Sequence, residues 1–260
     1  MMLQCSTFAT ARDNRPRPWA GTWEDLIAGL QEDQAPAPVA VGDDPKKGLP
    51  AICAATFRPS STRACSNVER VHLAILDFDN AQEIPDPAGR MHEKSGRPVM
   101  VKVPTQNPAQ ISDVCDGLER LEIAAAAWTT WSHTDEWSRF RVLIPLTSPV
   151  HPDLWPKAAE WILTRCGLTP WRQCIDLPVL RDTARLHFLP ARRPGSPPVV
   201  RRTVEGAILA PPPLEVLEAV EVPTMPLQPW QEEAVTRRAS RRGGTPNGWA
   251  SRFRSTDGKP

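Results

Sequence analysis

Residues 71–79 read VHLAILDFD, a nearly unbroken apolar run that ends in two carboxylates, Asp77 and Asp79. Its length and aliphatic content predict a buried strand finishing in acid residues. On a strand, positions i and i+2 project from one face, so Asp77 and Asp79 share a side. Upstream, WEDLIAGL at 23–30 has helical spacing with Thr22 as its N-cap. Downstream, a polar, proline-containing connection leads to a second strand pattern, RPVMVKV at 97–103, and AQISDVCDGLERL at 109–121 is again an amphipathic helix. IAAAAWTTW at 123–131 predicts a strand running into a turn, and FRVLIPL at 140–146 a strand stopped by Pro145. HPDLWPKAAEWILTRCGL at 151–168 is read as one helix, and RLHFLPA at 185–191 as the strand that closes the core. This order predicts an α+β fold, a mixed, largely antiparallel sheet core flanked by helices.

Composition narrows the function. The 260 residues suffice for one sizeable core, and 40% hydrophobic with 23% charged content fits a soluble globular protein. Apolar runs such as 123–128 fall short of the ~20 residues that cross a bilayer, and no signal pattern opens the sequence, which predicts a cytoplasmic protein without a membrane partner. Six cysteines lie without a CxxC pair, as expected of reduced, mostly buried thiols rather than a zinc knuckle or disulfide framework. A net charge of +1 argues against coating nucleic acid by bulk electrostatics and is compatible with a local grip. The absence of tyrosine excludes the replication enzymes that attack DNA phosphate with a phenolic hydroxyl. Prolines cluster at 16–18, 36–50, 194–198 and 211–229 and predict a domain edge near 210, with residues 1–210 as the folded domain and 211–260 as a Pro-rich linker with a basic, flexible tail. Trp155, Trp161 and Trp171 are read as packing residues, and Trp230 and Trp249 as docking residues for a partner or single-stranded nucleic acid.

The chemistry begins with LDFDN at 76–80. Two carboxylates on one face can hold one or two divalent cations about 3.5–4 Å apart, as two-metal phosphoryl transfer requires. A cation also relieves their mutual repulsion. The same DxD ending occurs in haloacid-dehalogenase-like phosphatases, but those want Gly-Thr next, where Asn80 and Ala81 stand here. Three more blocks follow in order: TTWSHT at 129–134 with Ser132 and His133, SRFRVLIPL at 138–146 with Arg139 and Arg141, and IDLPVLRDTARLHFLP at 175–190 with Asp176 and Arg185. A histidine and arginines facing a metal cluster suit a triphosphate. Asp182, the other acid of the third block, is read as a cap or a partner of Arg185.

In this order LDFDN, WSHT, RFRVLIPL, and ID followed by DTARLHFLP resemble the three motifs of archaeo-eukaryotic primases, especially the primase-polymerases of plasmids, phages and integrated elements. Those motifs are an acidic pair, a small-residue-x-His element and a hydrophobic-Asp element. The resemblance spans roughly residues 45–190 and takes in KKGLPAICAATF, similar to a lysine-rich segment of relatives. It implies Asp77, Asp79 and Asp176 as catalytic ligands of Mg²⁺ or Mn²⁺, and His133, with Ser132 beside it, on the triphosphate of the incoming nucleotide. Arg185 would touch the phosphates or the template. The implied activity is primer synthesis or strand extension from nucleoside triphosphates on a single-stranded DNA template. No Walker A pattern occurs, so a replicative helicase would be a separate protein or lie beyond Pro260. One departure is Trp131, which stands where the family often has a small residue and displaces Ser132 by one position. Two other readings stay open, a DxD phosphatase and a non-catalytic origin-binding module of the same fold.

Overall fold

The computed structural model describes residues 1–40, 43–93 and 96–223. They fall into two units, Met1–Ile84 with Val101–Val222, and Pro85–Met100 with the chain from Pro223. In chain order the strands are β1 (Leu3–Phe8), β2 (Arg17–Gly21), β3 (Ala51–Cys53), β4 (Ala55–Phe57), β5 (Val68–Phe78), β6 (Ala81–Pro85), β7 (Met100–Pro104), β8 (Ala125–Thr129), β9 (Phe140–Val150), β10 (His187–Phe188) and β11 (Arg201–Val204). The helices are α1 (Trp23–Leu30), α2 (Ile111–Arg120), α3 (Trp155–Arg165), α4 (Leu177–Arg181) and α5 (Leu214–Ala219).

The fold is α+β. One sheet runs β10-β3-β1-β2 and the other β11-β8-β9-β5-β4, with every pairing in both antiparallel, while β6 and β7 form a two-stranded ribbon. The acid-ending strand of the sequence, β5, is buried on both sides. Ala74, Leu76 and Phe78 join one apolar cluster with Val114 and Leu118 of α2 and Ile162 of α3. Leu73 and Ile75 join a second cluster with Leu3 of β1, Ile52 of β3 and Trp23 and Leu26 of α1. Two buried faces explain why the run is continuously apolar rather than alternating. On β9, Phe140, Val142 and Ile144 face the helices while Leu143 faces the first sheet, and Phe78 and Phe140 stack with centroids 4.5 Å apart. Each fully buried side chain of this size contributes about 1.5–3 kcal/mol.

α1 starts as the sequence predicts, with a capping box in which Thr22 accepts from the Asp25 N–H and Asp25 accepts from the Thr22 N–H. Pro145, in contrast, does not stop its strand. β9 runs through to Val150, with Pro145 opposite Leu73 beside a register shift in the pairing with β5. A proline lacks only the donor, and its carbonyl still accepts from the Leu209 N–H at 3.1 Å. The expected helix over 151–168 splits into a 3-10 turn, Pro152–Leu154, and α3, and Gly167 takes φ +64° just beyond it. Of the segment 185–191 only His187 and Phe188 pair as a strand, against β3.

Trp155 is buried, with its indole N–H donated to the Leu180 carbonyl, and Trp161 and Trp171 pack partly buried on the same cluster. Packing of the first unit continues past residue 210, where Leu217 of α5 is buried. Trp230, Trp249 and the basic runs lie outside the described residues. Five of the six free cysteines are buried, and burial pushes the thiols of Cys5, Cys53 and Cys166 up to about 12, which leaves them protonated and inert. Among the described residues no helix is long and apolar enough to cross a membrane. Within the second unit, Asp86 donates its N–H to the Val99 carbonyl and pairs with Arg90.

Candidate active site

The end of β5 is where distant stretches of the chain meet. Asp77 lies directly opposite Arg141 of β9, and the Arg141 Nη2–H donates to Asp77 Oδ2 at 3.1 Å. One step further, Arg139 donates from Nε to Asp79 Oδ1 at 2.8 Å and also from Nη2. The i, i+2 acids and the i, i+2 arginines thus form a two-rung ladder, its first rung within the paired strands and its second, Asp79 with Arg139, just past their ends. Arg141 is nearly buried and donates a second bond to the Phe188 carbonyl of β10 at 2.9 Å. Arg139 lies over the Trp137 ring at 4.7 Å, and the Trp137 indole N–H is bonded to the Asp79 carbonyl. The sequence offered both arginines to a triphosphate; the fold commits them to holding the aspartates.

Asp176 arrives from about a hundred residues away in sequence because the segment before α4 is stitched onto the end of β5. Its N–H donates to the Asp77 carbonyl at 2.9 Å, Ile175 bridges to Phe78, and the Asn80 N–H donates to the Cys174 carbonyl. The Asp176 carboxylate caps α4, with Oδ1 accepting from the Val179 N–H. Asn80 is the hinge of this arrangement. Fully buried in the left-handed region at φ +46°, it donates from Nδ2 to the Ala109 and Ser138 carbonyls at 2.9 and 2.7 Å, and its Oδ1 accepts from the Ala109 N–H at 2.8 Å. Asp182 is not at the site: it accepts from the Ala184 N–H and the Cys65 thiol, a local turn cap.

Three basic side chains to which the sequence reading gave no role complete the picture. Lys102 of β7 reaches Asp79 Oδ2 at 2.6 Å and Asp176 Oδ2 at 3.4 Å, one ammonium across two carboxylates. Lys46, in the KKGLP segment, donates to Ser132 Oγ at 3.3 Å and lies over the Phe188 ring at 5.3 Å. Burial, then the neighbouring Arg141, lowers its pKa, and Asp77 draws it back up only in part. His187 of β10 is buried, and its pKa falls to about 3 through burial and Arg141, against the attraction of Asp77. None of these could be found from spacing, since each depends on which strands the fold stacks together.

His133 sits in the turn after β8, its N–H bonded to the Thr130 carbonyl and its Nδ1 accepting from the Arg139 N–H at 3.2 Å. That acceptor role assigns the proton of the neutral ring to Nε2. Partial burial lowers the ring's pKa, with Asp135 opposing. Arg185 is exposed, and its charge bears on His187. Trp131, at the departure from the family pattern, is buried against Leu49 and Ala191.

Burial alone would raise the Asp77 carboxyl, but the Arg141 guanidinium, by charge and hydrogen bond and with Lys46 behind it, outweighs burial and leaves the pKa below the ordinary carboxylate value. Among the described residues no three Asp, Glu, His or Cys side chains stand as a ready-made metal cage. Each of the three aspartates nevertheless has one oxygen tied to a fixed partner and one that is not. Asp77 Oδ2 is tied to Arg141, Asp79 Oδ1 to Arg139 and Asp176 Oδ1 to the α4 backbone. The remaining oxygens of Asp79 and Asp176 already share one cationic group, the Lys102 ammonium. Such a donor set fits a hard divalent cation.

No family model matches the chain, and no curated protein does. Two solved structures are similar. The archaeo-eukaryotic primase domain of the cyanophage S-2L primase-polymerase aligns over 85% of this chain and 89% of its own, at 11% identity and a TM-score of 0.37. The polymerase domain of Mycobacterium tuberculosis Ligase D, in complex with DNA, aligns over 93% and 82%, at 13% identity and a TM-score of 0.33. Similarity of this degree decides nothing about activity, which rests on the residues.

Proposed function

We propose that this chain is a metal-dependent nucleotidyltransferase of the archaeo-eukaryotic primase kind, which makes primers or extends strands on single-stranded DNA from nucleoside triphosphates. The observation that carries the reading is the meeting of Asp77, Asp79 and Asp176, each with one oxygen not tied to a fixed partner, beside Lys46, Lys102 and His133. Acids with lysine ammoniums beside them suit a triphosphate that arrives with a divalent metal.

Asp77, Asp79 and Asp176 would hold Mg²⁺ or Mn²⁺, which when bound favours ionisation of a primer 3′-hydroxyl and offsets charge on the leaving pyrophosphate. The arginine ladder fixes the carboxylates, so their geometry is set before substrate arrives. Lys46 and the His133 Nε2–H supply donors to the triphosphate, with Ser132 positioning the Lys46 ammonium. Arg185, which is exposed, would meet phosphates or template. The linker and basic tail expected from residue 211 would begin only after α5, a replicative helicase would act separately, and the activity would serve a plasmid, phage or integrated element in the cytoplasm.

A DxD phosphatase of the haloacid-dehalogenase kind wants Gly-Thr after the second acid, where Asn80 and Ala81 stand. The non-catalytic DNA-binding module has one observation in its favour: every carboxylate is paired with a base, so the acids could be structural. Incorporation assays separate these readings. With Mn²⁺ or Mg²⁺ and homopolymer single-stranded DNA, incorporation of only the complementary nucleotide supports polymerisation. Release of phosphate without incorporation supports the phosphatase, and binding of DNA without either supports the module.

A further inference from the structure

We propose that Lys102 stands in for the divalent cation in the free protein: its ammonium holds the Asp79 and Asp176 carboxylates together and withdraws when metal arrives. The inference rests on the reading of the three aspartates as metal ligands, and it assigns a role to a residue outside the recognised motifs.

Two carboxylates that converge from β5 and from the cap of α4 repel when both are ionised. Lys102 answers this with one charge, donating to Oδ2 of each at 2.6 and 3.4 Å. Those two oxygens are the ones that the fixed partners Arg139 and Val179 leave over. The pairing therefore covers two of the three carboxylate oxygens left for a metal, Asp77 Oδ1 being the third.

Among the bases here, Lys102 is also the one built to leave. Its side chain is 43% exposed, against 21% for Arg139 and 7% for Arg141. Arg139 is stacked on Trp137 and Arg141 is tied to the Phe188 carbonyl, while among the described residues the hydrogen bonds of the Lys102 ammonium run only to the two acids. A four-carbon stem lets the ammonium swing into solvent, or onto an incoming phosphate, without moving β7. A lysine here keeps the acids in register before loading, at the expense of metal affinity, because +1 must be displaced by +2.

The test is Mn²⁺ binding to the full chain without nucleotide or DNA, read from the electron paramagnetic resonance signal of free Mn²⁺. Nearby opposite charge changes a carboxylate's proton affinity by about one to three powers of ten, so Lys102→Met is expected to bind Mn²⁺ about tenfold or more tightly than wild type. Lys102→Arg, which keeps the charge, should stay near wild type. A merely structural lysine would give weaker binding on removal, not tighter. Unchanged or weaker binding by Lys102→Met, with binding still abolished in Asp79→Asn and Asp176→Asn, overturns the role of Lys102 and leaves the metal-ligand reading standing. Absence of binding in every protein, or binding undiminished in both Asp variants, overturns that reading and the Lys102 inference together.

Discussion

Asn80 offers the sharpest test of how the site is held. Replacing it with Ala removes two donated bonds and one accepted bond at a fully buried position, and leaves the Ala109 N–H and two carbonyls without partners. At about 1 kcal/mol net for each bond, with added cost for buried groups left unpaired, the loss is about 3–5 kcal/mol. Backbone conformation adds to this, because φ +46° suits Asn or Gly and costs Ala about 1 kcal/mol. Asn80→Gly should therefore be less destabilised than Asn80→Ala by about 1 kcal/mol although it has even less side chain. Asn80→Asp, which keeps the acceptor but faces two carbonyls with an oxygen, should be at least as damaging as Ala. Urea unfolding at neutral pH reads all three. A loss below about 1 kcal/mol for Ala, or a Gly variant less stable than Ala, would refute the reasoning.

Glu160 is a buried acid of α3 that bonds Arg172 and Arg181, the two ends of the segment bearing Asp176; burial alone would raise its pKa, but the two guanidiniums outweigh that and lower it. Glu160→Ala should cost about 2–4 kcal/mol at pH 7. Because the folded pKa lies below the unfolded value of about 4.3, the contribution is complete above that value and disappears as pH falls through the folded pKa, so urea midpoints of wild type and variant should converge at low pH. His187, held down to about 3, should show no proton titration by NMR between about pH 5 and 8, where an ordinary imidazole titrates; an inflection near 6.5 would mean a solvated ring. Lys46→Ala should raise KM for the nucleoside triphosphate about tenfold or more, the worth of a bond to a charged group, with kcat little changed; a fall in kcat at constant KM would move Lys46 out of ground-state binding.

Much of this was legible in the residues. β5 could be read because burial on both faces leaves a continuous apolar signal, and α1 because Thr22 and Asp25 write a capping box into the sequence. The pairing of Asp77 with Arg141 was half legible: both DxD and RxR show period-two spacing, but only the antiparallel register sets them face to face. Pro145 misled because its missing donor matters only where a partner needs it, and its carbonyl still serves Leu209. Lys46, Lys102 and His187 come from three segments with no local pattern in common, and their convergence is a property of how the Pro45–Gly48 turn, β7 and β10 are placed. Asn80 could have been suspected, since Asn after a strand is favoured in the left-handed region, but its three partners at 109 and 138 are set by tertiary packing alone.

The central claim is that Asp176, and not its neighbour Asp182, joins Asp77 and Asp79 in one catalytic site. Template-directed incorporation on single-stranded DNA with Mn²⁺ should be compared for wild type, Asp176→Asn and Asp182→Asn, each checked for cooperative unfolding. The account expects synthesis by wild type and by Asp182→Asn, and none by a folded Asp176→Asn. Synthesis that survives in Asp176→Asn, or that is lost only in Asp182→Asn, would contradict it.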